Sequence, residues 1–117
     1  MKPGRELDAL VAEKVMGLVR CTAIAPDHIL PCHAHPANPD KGAETPLYST
    51  DIAAAWEVVE KIKNRNINLL WHEENQYWYC CVHNEIFEVD QEATSESAPH
   101  AICLAALKAV GEKVDGV

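Results

Sequence analysis

The chain has 117 residues, 48% of them apolar and 24% charged, which fits one folded domain and is too short for two independent cores. Its net charge of −8 argues against ordinary nucleic-acid binding, because phosphate contacts need clustered Lys and Arg. No apolar run approaches the roughly 20 residues of a membrane span. The start, Met1-Lys2-Pro3-Gly4-Arg5-Glu6, leads into a charged amphipathic stretch unlike a signal peptide, so a cytoplasmic location is expected.

A first helix is predicted over Arg5–Leu18, where Leu7, Leu10, Val11, Val15 and Leu18 recur at helical spacing and Glu6, Asp8, Glu13 and Lys14 fall off that stripe. A short extended piece, Arg20–Ile24, follows. The segment Ala25–Leu47 then carries five of the seven prolines (Pro26, Pro31, Pro36, Pro39, Pro46) and reads as a long loop, since proline at that density opposes helix and central strand. A loop of this length in a small domain is usually functional or disordered. A second helix starts at Tyr48-Ser49-Thr50-Asp51, whose side chains suit an N-cap, and carries an apolar stripe of Ile52, Ala55, Trp56, Val59 and Ile62. Asn64-Arg65-Asn66 ends it.

Three strands are predicted next, Ile67–His72, Tyr77–His83 and Glu85–Asp90, the last two joined by a tight turn near Asn84. Tyr77, Tyr79 and Cys81 alternate with Trp78, Cys80 and Val82, so the middle strand is apolar on both faces and favours helices above and below the sheet. A polar linker, Gln91–Ser97, leads to a last helix with Ser97 as N-cap, Pro99 in its first turn and Gly111 just past its end. The expected fold is α+β: a small antiparallel β-sheet with α-helices packed on both faces, an α/β/α sandwich in the order α-(β)-α-β-β-β-α, spanning residues 1–117 as one domain.

Three segments together resemble a known family. Pro46-Leu47-Tyr48-Ser49-Thr50-Asp51-Ile52-Ala53-Ala54-Ala55-Trp56-Glu57-Val58-Val59-Glu60-Lys61 is similar to the hallmark helix of the phage ABA sandwich domain family, and Pro99–Ala109 to its closing helix. Arg5–Gly17 resembles its start. The resemblance covers about 40 residues in the family's order and implies a small phage or prophage protein with helix layers around a sheet. It brings no catalytic motif. Small acidic phage proteins often disarm host defence, which makes that role an expectation by analogy.

The densest chemical group is Cys32-His33-Ala34-His35, with Cys21 and His28 upstream. Cys32, His33 and His35 with Cys21 or His28 would supply a tetrahedral zinc site, although paired Cys-x-x-Cys knuckles are absent; the bland reading is a polar loop with incidental histidines. A nucleophilic reading would use Cys32 as thiolate, a neighbouring His as base and Asp27 to orient it, but no Gly-rich oxyanion loop accompanies them. Tyr48, Ser49, Thr50 and Asp51 at a helix start could hold an anionic ligand such as a nucleotide, yet Asp51 opposes an anion and capping explains the polar residues. Trp71, Trp78 and Tyr79 read as core, not as a base-stacking platform. Cys80 and Cys81 point to opposite faces of a strand, and Cys103 reads as a small buried hydrophobe. His72, His83 and His100 read as satisfied polar residues. The five cysteines form an odd set expected to be thiols or ligands in place of bridges.

The acidity is uneven: Glu73, Glu74, Glu85, Glu88, Asp90, Glu92 and Glu96 lie in a stretch with no Lys or Arg. The bland reading is a solvated edge; the sharper one is a surface aimed at a basic, nucleic-acid-binding host protein. Three functions follow in order of expectation. The first is a non-enzymatic inhibitor of an antiviral defence protein, for example of anti-CRISPR type. The second is sequestration of a nucleotide-like molecule, and the third a zinc-dependent protein built on Cys32, His33 and His35. No membrane partner is expected. A homodimer would gain by covering exposed apolar sheet edges.

Overall fold

Three helices and six strands alternate in the computed structural model, which describes residues 1–20, 32–38, 42–62, 65–84 and 89–111. In chain order they are α1 (Arg5–Lys14), β1 (Val19–Arg20), β2 (Cys32–Ala34), β3 (Ala43–Glu44), α2 (Ile52–Ile62), β4 (Ile67–His72), β5 (Tyr77–Asn84), β6 (Val89–Ser95) and α3 (Ala98–Ala109). The strands form two antiparallel three-stranded sheets, β1-β2-β3 and β4-β5-β6. The class is therefore the expected α+β sandwich built on an antiparallel sheet.

Helix α1 stops at Lys14, one turn before the apolar stripe ends. Gly17 adopts φ 74°, a left-handed conformation that side chains resist, and the Leu18 amide turns back to the Ala12 carbonyl at 2.8 Å. Leu7, Val11 and Val15 are buried as the spacing predicts, and Ala12 is buried beside them. Asp8 is buried with them, against the prediction that it faces solvent.

The proline-rich segment is a correction of a larger kind. It contains β2 and β3, with Cys32 opposite Glu44, His33 opposite Ala43 and β1 on the other side of β2. Pro31 and Pro36 flank β2 in sequence without entering it, so no ladder hydrogen bond is forfeited.

Asp51 caps α2 as expected: its carboxylate accepts from the Ala53 amide at 3.1 Å. The buried stripe of α2 is rotated from the predicted one. Ala54, Ala55, Val58 and Ile62 face the core, whereas Ile52 and Trp56 are 50% and 53% exposed. Small Ala54 and Ala55 allow close approach to α3, and a period of 3.6 alone does not distinguish that stripe from its bulkier neighbour.

In the larger sheet Ile67 pairs with Val82 and His72 with Tyr77, while Trp78 pairs with Ser95 and Asn84 with Val89. Strand β6 thus runs through most of the predicted linker. Polar Gln91, Glu92, Thr94 and Ser95 are tolerated because β6 is an edge strand with β5 as its neighbour. Asn84, where the tight turn is expected, belongs to β5 and pairs with Val89. Of the strand expected over Glu85–Asp90 only Val89 and Asp90 are described, as the start of β6, and residues 85–88 lie outside the described residues.

Helix α3 is the centre of the core. It lies on β5 and β6, and both α1 and α2 pack against it. Its first turn holds Pro99, as predicted, and Gly111 follows its end at φ 91°. Ser97 occupies the N-cap position without a side-chain cap; its amide instead donates to Ser95 Oγ at 3.2 Å. Ala101, Ala105, Ala106 and Ala109 keep α3 thin enough for neighbours on several sides, and Ile102, Cys103 and Leu107 fill the space between.

Candidate functional site

Two groups of side chains are built with more polar chemistry than a core requires. The first joins α1 to the segment between β2 and α2. Asp8, 0% exposed, accepts from the Ser49 amide at 2.8 Å and from Ser49 Oγ at 2.7 Å. Ser49 Oγ in turn accepts from the Gly4 amide at 2.9 Å. Arg5 reaches Asp8 at 3.4 Å, donates to the Thr45 carbonyl at 3.0 Å and faces Glu44 at 3.8 Å. Buried His33 bonds Thr45 Oγ1 through Nδ1 and the Glu13 carboxylate through Nε2 at 3.0 Å. A carboxylate only accepts, so Nε2 carries the proton and, in the neutral ring, Nδ1 accepts from Thr45. Glu13 also pairs with Arg20 at 3.5 Å. A buried carboxylate with this many donors is a fastening between elements.

That fastening accounts for the candidate ligand residues. Tyr48 is buried in the core, and burial, with Glu57, Cys103 and Asp8 adding, pushes its phenol up to about 12. Ser49 is held by Asp8 and Gly4, Thr50 is exposed, and Asp51 serves the helix cap. The Ser49 amide and hydroxyl and the Thr50, Asp51 and Ala53 amides are thus used by the chain itself.

The described members of the proposed metal set, Cys32, His33 and His35, are not brought together as ligands. Cys32 is disulfide-bonded, so its sulfur is not a thiolate, and the expectation of thiols fails at this residue. Both His33 nitrogens are engaged, and His35 is exposed with Nδ1 accepting from the Ala37 amide at 3.1 Å. Cys21, Asp27 and His28 lie outside the described residues. Among the described residues no three His, Cys, Asp or Glu side chains group as a metal site.

The second group lies on the face of the β4-β5-β6 sheet opposite α3. Alternation turns Ile67, Leu69, Trp78, Cys80, Val82 and Ala93 towards the helix and leaves Asn68, Leu70, His72, Tyr77, Tyr79, Cys81, Glu92 and Thr94 on the other side. There His72 stacks on Tyr77 at 4.7 Å and meets Tyr79 edge-on at 6.0 Å. The Tyr79 hydroxyl bonds Glu92, which holds its phenol above the usual range. His83 Nδ1 pairs with Asp90 at 2.8 Å, and Leu70 is 54% exposed. Glu73, Glu74, Asp90 and Glu92 are all exposed around this face; Glu85 and Glu88 lie outside the described residues. Trp71 and Trp78, 5.3 Å apart, share the α3 side, although Trp71 at the margin is 43% exposed and not core. His100 bonds Ser95 at 2.7 Å and the Met1 carbonyl at 2.7 Å, a satisfied polar residue as read.

Cys80, Cys81 and Cys103 are free thiols. Burial, and then Cys81 beside it, pushes Cys80 up to about 12; burial also raises Cys103 and Cys81. These shifts run opposite to those of an activated nucleophile. In the native protein at pH 8, Cys80 and Cys103 should resist iodoacetamide and react only on unfolding, as peptide mass spectrometry would report. Because the native state holds the Cys80 proton more tightly, its stabilising effect is complete below the ordinary thiol value and is lost as pH climbs from about 9 towards 12. That loss reaches on the order of 4 kcal/mol for this thiol.

The sequence profile of the phage ABA sandwich domain family matches residues 9–107. A solved structure, the 2.0 Å crystal structure of a phage protein from Bacillus cereus ATCC 14579, superposes with a TM-score of 0.75 at 27% identity, covering 98% of this chain and 93% of that one. No curated protein matches significantly. Among the described residues no helix is long and apolar enough to cross a membrane. With the profile spanning α1 to α3 and the fold shared along nearly the whole length, this chain belongs to the phage ABA sandwich domain family.

Proposed function

We propose that this phage-family chain is a non-enzymatic accessory protein that binds a basic protein partner through the open face of the β4-β5-β6 sheet and its acidic rim. The observation that carries this reading is the composition of that face. Aromatic and imidazole rings (His72, Tyr77, Tyr79) lie beside exposed Glu73, Glu74, Asp90 and Glu92, and the sequence from Asn66 to Ser97 contains no Lys or Arg. Arginine suits such a surface, because its guanidinium stacks on rings and pairs with carboxylates. The partner class is a host antiviral defence protein with a nucleic-acid-binding surface, blocked in the bacterial cytoplasm in the manner of an anti-CRISPR inhibitor.

Calorimetric titration with an arginine-rich peptide, at low and high salt, tests the surface. Glu73→Lys/Glu74→Lys/Glu92→Lys should weaken binding roughly tenfold or more in a chain that circular dichroism shows to be folded, and added salt should weaken the wild type. Equal affinity in the triple variant would remove the acidic face from the mechanism.

A further inference from the structure

The edges of the larger sheet differ in a way that bears on assembly. Strand β6 carries Asp90 and Glu92, charges of the kind that deter strand-to-strand pairing. Strand β4, Ile67-Asn68-Leu69-Leu70-Trp71-His72, has no Lys, Arg, Asp, Glu or Pro and exposes Leu70 and Trp71. It lies at the margin of the sheet, while α3 packs on β5 and β6. The small sheet offers no comparable edge, since β1 and β3 are two residues each.

We propose that the β4 edge is a homodimer interface, in which β4 pairs antiparallel with β4 of a second copy to form a continuous six-stranded sheet. The hydrogen-bond pattern specifies which groups meet. The Asn66 carbonyl accepts from the His83 amide at 3.2 Å, one step outside the Ile67–Val82 pair. Hydrogen-bonded positions alternate in an antiparallel ladder, so Asn68, Leu70 and His72 spend their backbone groups on β5. Ile67, Leu69 and Trp71 therefore turn their N–H and C=O groups outward. A two-fold axis through Leu69 sets Leu69 opposite Leu69 of the second copy and Ile67 opposite Trp71 of the second copy. Every outward donor then meets an outward acceptor. The flanks are complementary in charge: Arg65 precedes β4 and Glu73 and Glu74 follow it, so antiparallel pairing brings opposite signs together at each end. No charge within β4 meets its own copy.

Amide exchange measured by NMR on the full chain, at high concentration and on dilution, tests this. The expected result is protection of the Ile67, Leu69 and Trp71 amides that disappears on dilution, while Asn68, Leu70 and His72 stay protected throughout. In sedimentation runs Glu73→Arg should weaken the dimer roughly tenfold, and adding Arg65→Glu should restore it to within about threefold. Arg65 also donates to the Ala109 carbonyl at 3.0 Å, so rescue by the pair separates an interface role from a local one. A chain that remains monomeric, or a dimer whose Ile67, Leu69 and Trp71 amides exchange freely, would overturn the proposal.

Discussion

Asp8→Ala is expected to lower the unfolding free energy by about 3–5 kcal/mol, the largest loss from any polar substitution in the described chain. The carboxylate is fully buried and takes both the amide and the hydroxyl of Ser49 as well as Arg5. Its removal strands the buried Ser49 amide and takes the nearest acceptor from the Ser49 hydroxyl and from Arg5, and a stranded buried group costs more than the bond itself contributed. Ser49→Ala removes only the hydroxyl and leaves the amide bond to Asp8, so about 1–2 kcal/mol is expected. Urea unfolding of the two single variants and the double variant gives the coupling directly. An Asp8→Ala loss below that of Ser49→Ala would mean that the site admits water or rearranges.

Leu107→Ala should cost about 2–5 kcal/mol, because the side chain is fully buried in the one helix that touches both the sheet and the other two helices. The cavity cannot be filled from one side without opening a gap on another. The same position in the architecture makes addition harmful: Ala105→Leu should cost about 1–3 kcal/mol, although leucine is an excellent helix former. Thermal and denaturant unfolding of both variants checks the pair. A neutral Ala105→Leu would show that α3 is not tightly enclosed.

Helix and strand identities were legible from local pattern. The caps and punctuation at Asp51, Pro99 and Gly111 and the alternation along Tyr77–His83 act through neighbouring residues, and the fold keeps them. Features decided at long range were not. Asp8 and Ser49 are 41 positions apart, and an aspartate in a first helical turn looks like an ordinary solvated residue until the segment before α2 closes over it. The exposure of Ile52 and Trp56 in place of Ala54 and Val58 reflects how near α3 comes, which no single-helix period contains. Strand β6 reads as a linker because its ladder is supplied by β5 and not by its own propensity. Of the candidate sites, the acidic run was visible in composition, whereas its rings become one surface only through the register of β4 with β5. The grouping of Cys32, His33 and His35 was visible too, but Cys32 is disulfide-bonded and both His33 nitrogens are engaged.

The place of α3 has a consequence for biogenesis. The helix on which the sheet and both earlier helices rest comes after all of them in the sequence, so a nascent chain exposing α1, α2 and the strands has nothing to close on. The sheet's α3 side, with Cys80, Val82 and Ala93, stays open until residues 98–109 emerge. Folding is then a late, concerted event, and truncation within α3 should yield no partly folded core but a chain open to aggregation and proteolysis. For such a protein both faces of the larger sheet take their final form only once α3 has emerged and docked.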